Sequence, residues 1–353
     1  MQKLSLMKRV LFSLLPVLLL FLLCEAGLRA AGFYYSDTPL VMMSLRQDPE
    51  GVVNGVLRYN NREGRIAMKK DARQLWVPVH SFEEKTPLHK AAGVTRIAAL
   101  GDSCTMGCTG TDASYPGYMQ EILNAEASGR YEVLNAGVGS HSSFQGLQRF
   151  KYAVLPYKPD IITIYFGWND HWMTSVPDKE VRMKSEKLTA LLNFLEHFRT
   201  YQAYHYLISE VLLKKHPAPV EPEGSEPPLE DWIKLRVSPA DYRANLNVMM
   251  DLAAQHGMKV LLVTAPYNSE SFGPSMNFPF PREVFEQVHE KYLEIVRQAA
   301  AEREVPLLDL AQEISGSRRA SVLSEDGVHF SVSGCRTIAE IFVEKFKQMG
   351  WVS

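Results

Sequence analysis

Short runs of apolar and β-branched residues recur along the last three quarters of the chain, at 95–100, 131–135, 161–166, 259–264 and 305–308. Stretches with helical spacing of apolar positions separate them, at 115–127, 143–154, 241–256 and 281–303, and one more at 333–349 closes the chain. Continuous apolar runs of this length read as strands buried on both faces. Strand alternating with helix predicts an α/β fold, a parallel sheet covered by helices on both sides. Gly257 stands where a C-cap belongs ahead of the fourth run, and Ser238 or Asp241 suits the cap of the helix before it.

Two regions break the alternation. Residues 172–235 carry a helical pattern over 181–213 and then a Pro/Glu-rich stretch at 216–230, expected as an exposed loop. This insertion follows a candidate site loop, so it reads either as a lid or substrate wall, or as a surface decoration. Residues 36–93 mix Pro, Gly and charge with strand-like pieces such as 75–79, and are expected to form a linker and a small β-rich lead-in, with Lys69 and Lys70 on the surface. The domain plan is therefore an N-terminal targeting segment (1–35), the lead-in (36–93) and a main domain (94–353).

Lys3, Lys8 and Arg9 precede an uncharged run over 10–24, a positive n-region followed by an apolar h-region. The run alone is short for a span, which needs about 20 residues, but the chain stays fairly apolar to Tyr35. A cleaved signal peptide would have to use Ala26, Ala30 or Ala31, which form imperfect cleavage sites. A signal anchor with Glu25 and Arg29 at the outer interface is the reading taken. Bulky Leu23 ahead of Cys24 disfavours a lipoprotein. The positive flank sends the rest of the chain out of the cytoplasm. The expectation is an inner-membrane protein with a periplasmic domain, secreted if the N-terminus is cleaved.

Composition narrows the classes. The 353 residues are 46% hydrophobic and 22% charged, ordinary for a globular protein. With a net charge of −2 and no basic stripe, nucleic acid is not expected as a partner. Cys104, Cys108 and Cys335 show neither a metal-ligand spacing nor a disulfide framework, and are expected as buried thiols; a Cys104–Cys108 bridge would strain a helix start. No metal and no cofactor are expected.

The first strand run ends in Gly101-Asp102-Ser103. A serine on the turn after a parallel strand lies at the carboxyl edge of the sheet, where open α/β sheets place their sites. By itself the tripeptide reads more readily as a capped turn than as a nucleophile. A serine nucleophile needs a base, a group orienting that base, and oxyanion donors. Asp326 and His329, three apart before the last helix, suit the first two roles. The alternative is a solvated Asp and a capping His. After the third strand comes Gly167-Trp168-Asn169-Asp170, and the Asn169 amide is a neutral oxyanion donor. After the second comes Asn135-Ala136-Gly137-Val138-Gly139-Ser140, whose backbone N–H groups suit an anion. Trp168, His171 and Trp172 flank Asn169 as candidates for stacking on a sugar or covering an acyl chain, or as packed residues.

From Arg96 onward, these four blocks in this order resemble the SGNH hydrolases, also called GDSL-type esterases and lipases. The resemblance implies a flavodoxin-like three-layer α/β/α sandwich. It implies Ser103 as nucleophile, His329 as base and Asp326 as the orienting acid. The implied oxyanion hole is the Ser103 N–H, an N–H of the 135–140 turn and the Asn169 side chain. Asp102 and Asp170 are expected to tie loops together. The chain departs from the family at one point: where relatives carry a second Gly in the second block, position 140 is Ser, and an alternative alignment gives the role to Gly139. The expected function is a serine esterase acting on a short-chain or O-acetyl ester, with an acylated carbohydrate or small ester as substrate. An O-acyltransferase on an exported polysaccharide, a lysophospholipase and a silent binding module are the alternatives.

Overall fold

All five apolar runs pair side by side as parallel strands of one sheet. The computed structural model describes residues 6–35, 52–53, 56–58, 68–79, 81–107, 114–127, 129–172, 174, 176–181, 183–208, 235–271 and 282–353. In chain order these residues form α1 (Leu6–Ala30), β1 (Phe33–Tyr34), β2 (Val52–Val53) and β3 (Val56–Arg58), then β4 (Met68–Asp71), β5 (Leu75–Pro78) and α2 (Phe82–Lys85). There follow β6 (Thr95–Gly101), α3 (Ser103–Met106), α4 (Tyr115–Glu126), β7 (Tyr131–Asn135), α5 (Ser143–Arg149) and β8 (Ile161–Tyr165). Next come α6 (Glu186–Leu195), α7 (Arg199–Tyr206), α8 (Pro239–Gln255), β9 (Lys259–Val263) and α9 (Arg282–Glu302). The chain closes with β10 (Leu307–Leu308), α10 (Leu310–Glu313), α11 (Arg318–Val322) and α12 (Val332–Gln348).

The chain divides into two compact units, one of residues 1–63 with 184–222, the other of 64–183 with 223–353. In the larger unit the strand order is β10-β9-β8-β6-β7. Period-two alternation along β6 sends Ile97 and Ala99 to one face and Ala98 and Leu100 to the other. On the first face they pack with Tyr115, Met119 and Leu123 of α4 and Ile338 and Phe342 of α12. On the second they meet Leu147 of α5 and Leu246 and Met249 of α8. Two cores, one on each side of a parallel sheet, make the expected three-layer α/β/α sandwich. Strand order reverses at β6, whose neighbours are β7 and β8. That topological switch point is where open α/β sheets leave a crevice beyond their carboxyl ends.

Local signals place the helix ends. Ser114, Ser142, Ser185, Ser238 and Ser331 each accept a backbone N–H of the helix they precede. Gly257 takes a positive φ of 68° at the end of α8, as a C-cap glycine does. The lead-in contributes the β4–β5 hairpin to the larger unit.

The helical pattern expected over 181–213 forms, among its described residues, two α-helices, α6 and α7, broken at 196–198. Neither proline nor glycine marks that break. It is set from outside: Glu25 Oε2 of α1 accepts the Thr200 N–H at 2.9 Å and the Thr200 hydroxyl at 3.0 Å, capping α7 where its own N-cap residue, Phe198, makes no side-chain bond. Both helices thus belong to the smaller unit, with α1 and β1. The α1 helix runs well past the 10–24 run and carries Glu25 and Arg29 within it, joined by an ion pair at 2.7 Å. Its stretch Phe12–Ala30 is long and apolar enough to cross a membrane. Cys108 and the Pro/Glu-rich stretch lie outside the described residues; Cys104 and Cys335 are buried thiols, as expected.

Candidate active site

Gly101 ends β6, and Asp102 caps the short α3 by accepting the Cys104 N–H at 2.9 Å. The capped turn is therefore present, and the cap is Asp102 rather than Ser103. Asp102 makes the turn, and Ser103, the first residue of α3, is left partly exposed at the carboxyl edge of the sheet. Close packing explains two glycines nearby. A Cβ at Gly101 would collide with the Thr105 side chain, and one at Gly137 with the backbone of Thr105 and Met106. Without them the second turn could not lie against α3.

The structure joins Ser103 to the far end of the chain. Ser103 Oγ lies 2.8 Å from His329 Nε2, and His329 Nδ1 lies 2.6 Å from Asp326 Oδ2. The two carboxylate oxygens of Asp326 divide the work. Oδ1 accepts from Ser324 Oγ (2.6 Å) and from the backbone N–H of Val328 and His329 (2.9 Å each), which shapes the loop. Oδ2 takes the imidazole. Gly327 supplies the positive φ of 71° that lets residues three apart face each other. Burial pushes the Asp326 carboxyl up, but the hydrogen bond and charge of His329, with Ser324 and the Val328 N–H, outweigh it and hold the group well below the usual carboxylate range. An ionised Asp326 has only acceptors to offer, so Nδ1 carries a proton and Nε2 is free to accept from the Ser103 hydroxyl.

Asn169 lies beside the second turn. Its Nδ2 donates to the His141 carbonyl at 3.1 Å, which uses one N–H and leaves the other. Ser140 is buried and holds φ at 60°, the left-handed region that glycine occupies without strain. The Gly139 N–H faces Met106 Sδ at 3.3 Å. Asp170 ties loops as expected, accepting both the N–H (2.9 Å) and the hydroxyl of Ser143. Burial raises Asp102 and Asp170 to about 7 each, and Asp170 adds to the rise at Asp102 by like charge.

Of the pocket candidates, Trp168 and His171 are packed inside. Trp168 stacks on His289 with ring centroids 4.2 Å apart, and both candidates are almost fully buried. His171 Nε2 donates to His289 Nδ1 at 2.9 Å, and His289 Nε2 donates to the Ala265 carbonyl at 2.9 Å. Burial lowers the pKa of His171 well below normal and that of His289 to about 4, so this chain of rings is neutral. Neither Trp168 nor His171 presents a face to a ligand; they support the Asn169 loop from beneath. Trp172 alone of the three is half-buried.

Two further residues hold the second turn, and sequence reading did not find them. Trp76, in the lead-in hairpin, donates Nε1 to the Gly139 carbonyl at 3.1 Å, and its own carbonyl accepts from His141 Nε2 at 2.8 Å. Arg236, just after the insertion, donates Nη1 to the Ser140 carbonyl at 2.8 Å. Its Nη2 reaches Asp178 (2.8 Å) and Gln145 (2.6 Å). A tryptophan in a short apolar strand and an arginine before a cap carry no motif; only their partners give them meaning.

Among the described residues no cluster of His, Cys, Asp or Glu could hold a metal ion. The model of the GDSL-like lipase/acylhydrolase family matches residues 99–337. The chain is 24% identical over 269 residues to an uncharacterized lipoprotein, YqeF, of Bacillus subtilis, covering 70% of this chain and 88% of that one. It is similar to the crystal structure of a lipase/acylhydrolase from Enterococcus faecalis, with 19% identity, a TM-score of 0.47 and coverage of 72% of this chain and 97% of the other. It is also similar to that of an acetyl xylan esterase, AlAXEase, with 17% identity, a TM-score of 0.45 and coverage of 71% and 98%.

Proposed function

Because the chain belongs to the GDSL-like lipase/acylhydrolase family, we propose that it is a serine esterase whose triad is Ser103, His329 and Asp326. The observation that carries this reading is the continuous line of hydrogen bonds from Ser103 Oγ through His329 to Asp326. In this reading His329 Nε2 takes the Ser103 proton as Oγ attacks the ester carbonyl. Asp326 keeps the imidazole in the tautomer that accepts at Nε2 and stabilises the imidazolium that forms. The oxyanion meets the N–H of Ser103, the second Nδ2 hydrogen of Asn169 and the N–H of Ser140. Ser140 stands where relatives carry the second glycine of this block, and the Gly139 N–H is directed at Met106 Sδ. His329 then protonates the leaving alcohol, and water, deprotonated by the same ring, releases the acid from the acyl-enzyme.

The same proposal takes α1 as a retained anchor, with the catalytic unit outside the cytoplasm. Residues beyond the apolar run support retention. Glu25 caps α7, and the Tyr35 N–H donates to Gln202 at 3.2 Å, so cleavage at Ala26, Ala30 or Ala31 would remove the Glu25 cap from a folded unit. An esterase so placed faces the cell envelope, and a short-chain ester such as an O-acetyl group on an envelope carbohydrate is the substrate class proposed.

The test uses the full chain in detergent with p-nitrophenyl acetate. Ser103→Ala and His329→Ala abolish turnover, and Asn169→Ala lowers kcat by about 10²–10³, the usual cost of one oxyanion donor. Undiminished turnover in Ser103→Ala overturns the triad. Acetyl release to water compared with transfer to an oligosaccharide, on one preparation, decides between hydrolysis and acyl transfer.

A further inference from the structure

The smaller unit leaves a row of large apolar side chains uncovered. Leu188, Leu191 and Phe194 follow one another along α6, and Phe194 is 59% exposed. Tyr204 of α7 is 62% exposed, and Leu207 just after it is exposed as well. Residues three apart lie on one side of a helix, so the α6 residues form a stripe rather than scattered positions. An uncovered stripe of this kind marks an interaction surface.

What covers it follows from where it is attached. Phe198, in the turn between α6 and α7, packs edge-on against Phe21 of α1 with ring centroids 5.6 Å apart. Phe194 packs edge-on against Phe198 at 5.4 Å. Phe21 lies three residues inside the end of the uncharged run, about 5 Å along a helix rising 1.5 Å per residue. One turn further, Glu25 holds the start of α7, and Arg29 Nη2 donates to the His197 carbonyl at 2.8 Å. The turn after α6 and the start of α7 are thus fastened to α1 at the level where its apolar run meets its first charges. Apolar side chains of α1, Leu18 and Leu22 among them, are exposed as well. The eight residues of α7 include three tyrosines, Tyr201, Tyr204 and Tyr206, a residue type that concentrates at membrane–water interfaces.

We infer that the α6–α7 segment is a membrane-seated element, with Leu188, Leu191 and Phe194 inserted among the lipid chains of the bilayer that α1 crosses. The inference rests on the reading of α1 as a retained anchor. An amphipathic helix in this position lies in the interface, its apolar face about 5–10 Å into the headgroup–acyl boundary. The anchor would then hold the protein at more than one point, and the insertion would serve attachment rather than substrate entry.

The experiment reconstitutes the full chain in phosphatidylethanolamine/phosphatidylglycerol vesicles, on a Cys24→Ser, Cys108→Ser background. An environment-sensitive fluorophore is attached at Leu14→Cys or at Phe194→Cys. Lipids with a nitroxide at a shallow or a deep acyl position, and aqueous iodide, serve as quenchers. The inference expects the label at 194 to be quenched by the shallow nitroxide and shielded from iodide, with the label at 14 quenched by the deep one. A label at 194 open to iodide, while 14 is quenched by lipid, overturns the seated segment and leaves the anchor standing. Shielding of 194 from both quenchers means that protein covers the stripe, from this chain or a second copy, and also overturns it. Absence of lipid quenching at both positions refutes the anchor itself.

Discussion

Arg236 Nη1 donates to the carbonyl oxygen of Ser140 at 2.8 Å, while the same guanidinium pairs with the buried carboxylate of Asp178. One side chain therefore links the turn assigned to the oxyanion with the loop that follows Asn169. Replacing it leaves the Asp178 carboxylate short of its main charge partner, at 6% side-chain exposure. Breaking one partner of such a pair costs about 3–5 kcal/mol. Arg236→Met should lower stability by an amount in that range. In the fraction that remains folded, kcat should fall about tenfold to a hundredfold, because small displacements of donors are costly. Urea unfolding and steady-state kinetics check both. An unchanged kcat in well-folded Arg236→Met would remove Arg236 from the support of this turn.

Position 140 tests the departure from the family pattern. Ser140 holds a left-handed φ of 60°, which costs an L-residue about 1–2 kcal/mol relative to glycine. Glycine is also freer in the unfolded chain, which offsets part of that gain. Ser140→Gly should therefore keep activity within a fewfold of the parent and leave stability equal or up to about 1 kcal/mol higher. Ser140→Val should lose both stability and activity, since a β-branched side chain resists this conformation. Loss of activity in Ser140→Gly with the fold intact would mean that the hydroxyl, rather than the backbone N–H, is what the site uses.

Asp170 gives a pH dependence with a definite sign. Burial raises its pKa from the ordinary 3.8 to about 7. A group raised on folding contributes stability fully present below its unfolded pKa and lost as pH rises through the folded value. The relevant window therefore runs from about pH 4 to about pH 7. Asp170→Asn keeps an acceptor for Ser143 but cannot ionise. The melting temperature of Asp170→Asn minus that of the parent should increase by several degrees across this window. A difference that stays flat from pH 4 to pH 8 contradicts a raised Asp170. Asp326 works in the opposite direction: its pKa is depressed, so its contribution is present above about pH 4 and fades only in stronger acid.

Local chemistry explains what could be read without coordinates. The five strand runs are legible because a parallel strand buried on both faces must be apolar along its whole length. Helix ends are legible because serine caps and the Gly257 C-cap act on neighbours within a few residues. Ser103, Asn169, Asp326 and His329 stand out because their blocks come in family order, and each lies beside a strand end or the last helix. By contrast, the break at 196–198 depends on Glu25, 175 positions away from the Thr200 it caps. No propensity within 181–213 records that contact.

The sequence alone determined the α/β class and the order of the strands along the chain, since these follow from periodicity, and its resemblance to a family singled out four candidate site residues. The tertiary structure decided how Ser103 and His329, 226 positions apart, come within 2.8 Å. It also decided that Trp168 and His171 are packed inside, and that Trp76 and Arg236 hold the turn at Gly139 and Ser140. Finally, it put the helices of the insertion with α1. Each of these rests on contacts between residues distant in the chain, and such contacts exist only once the sheet and its two cores have formed.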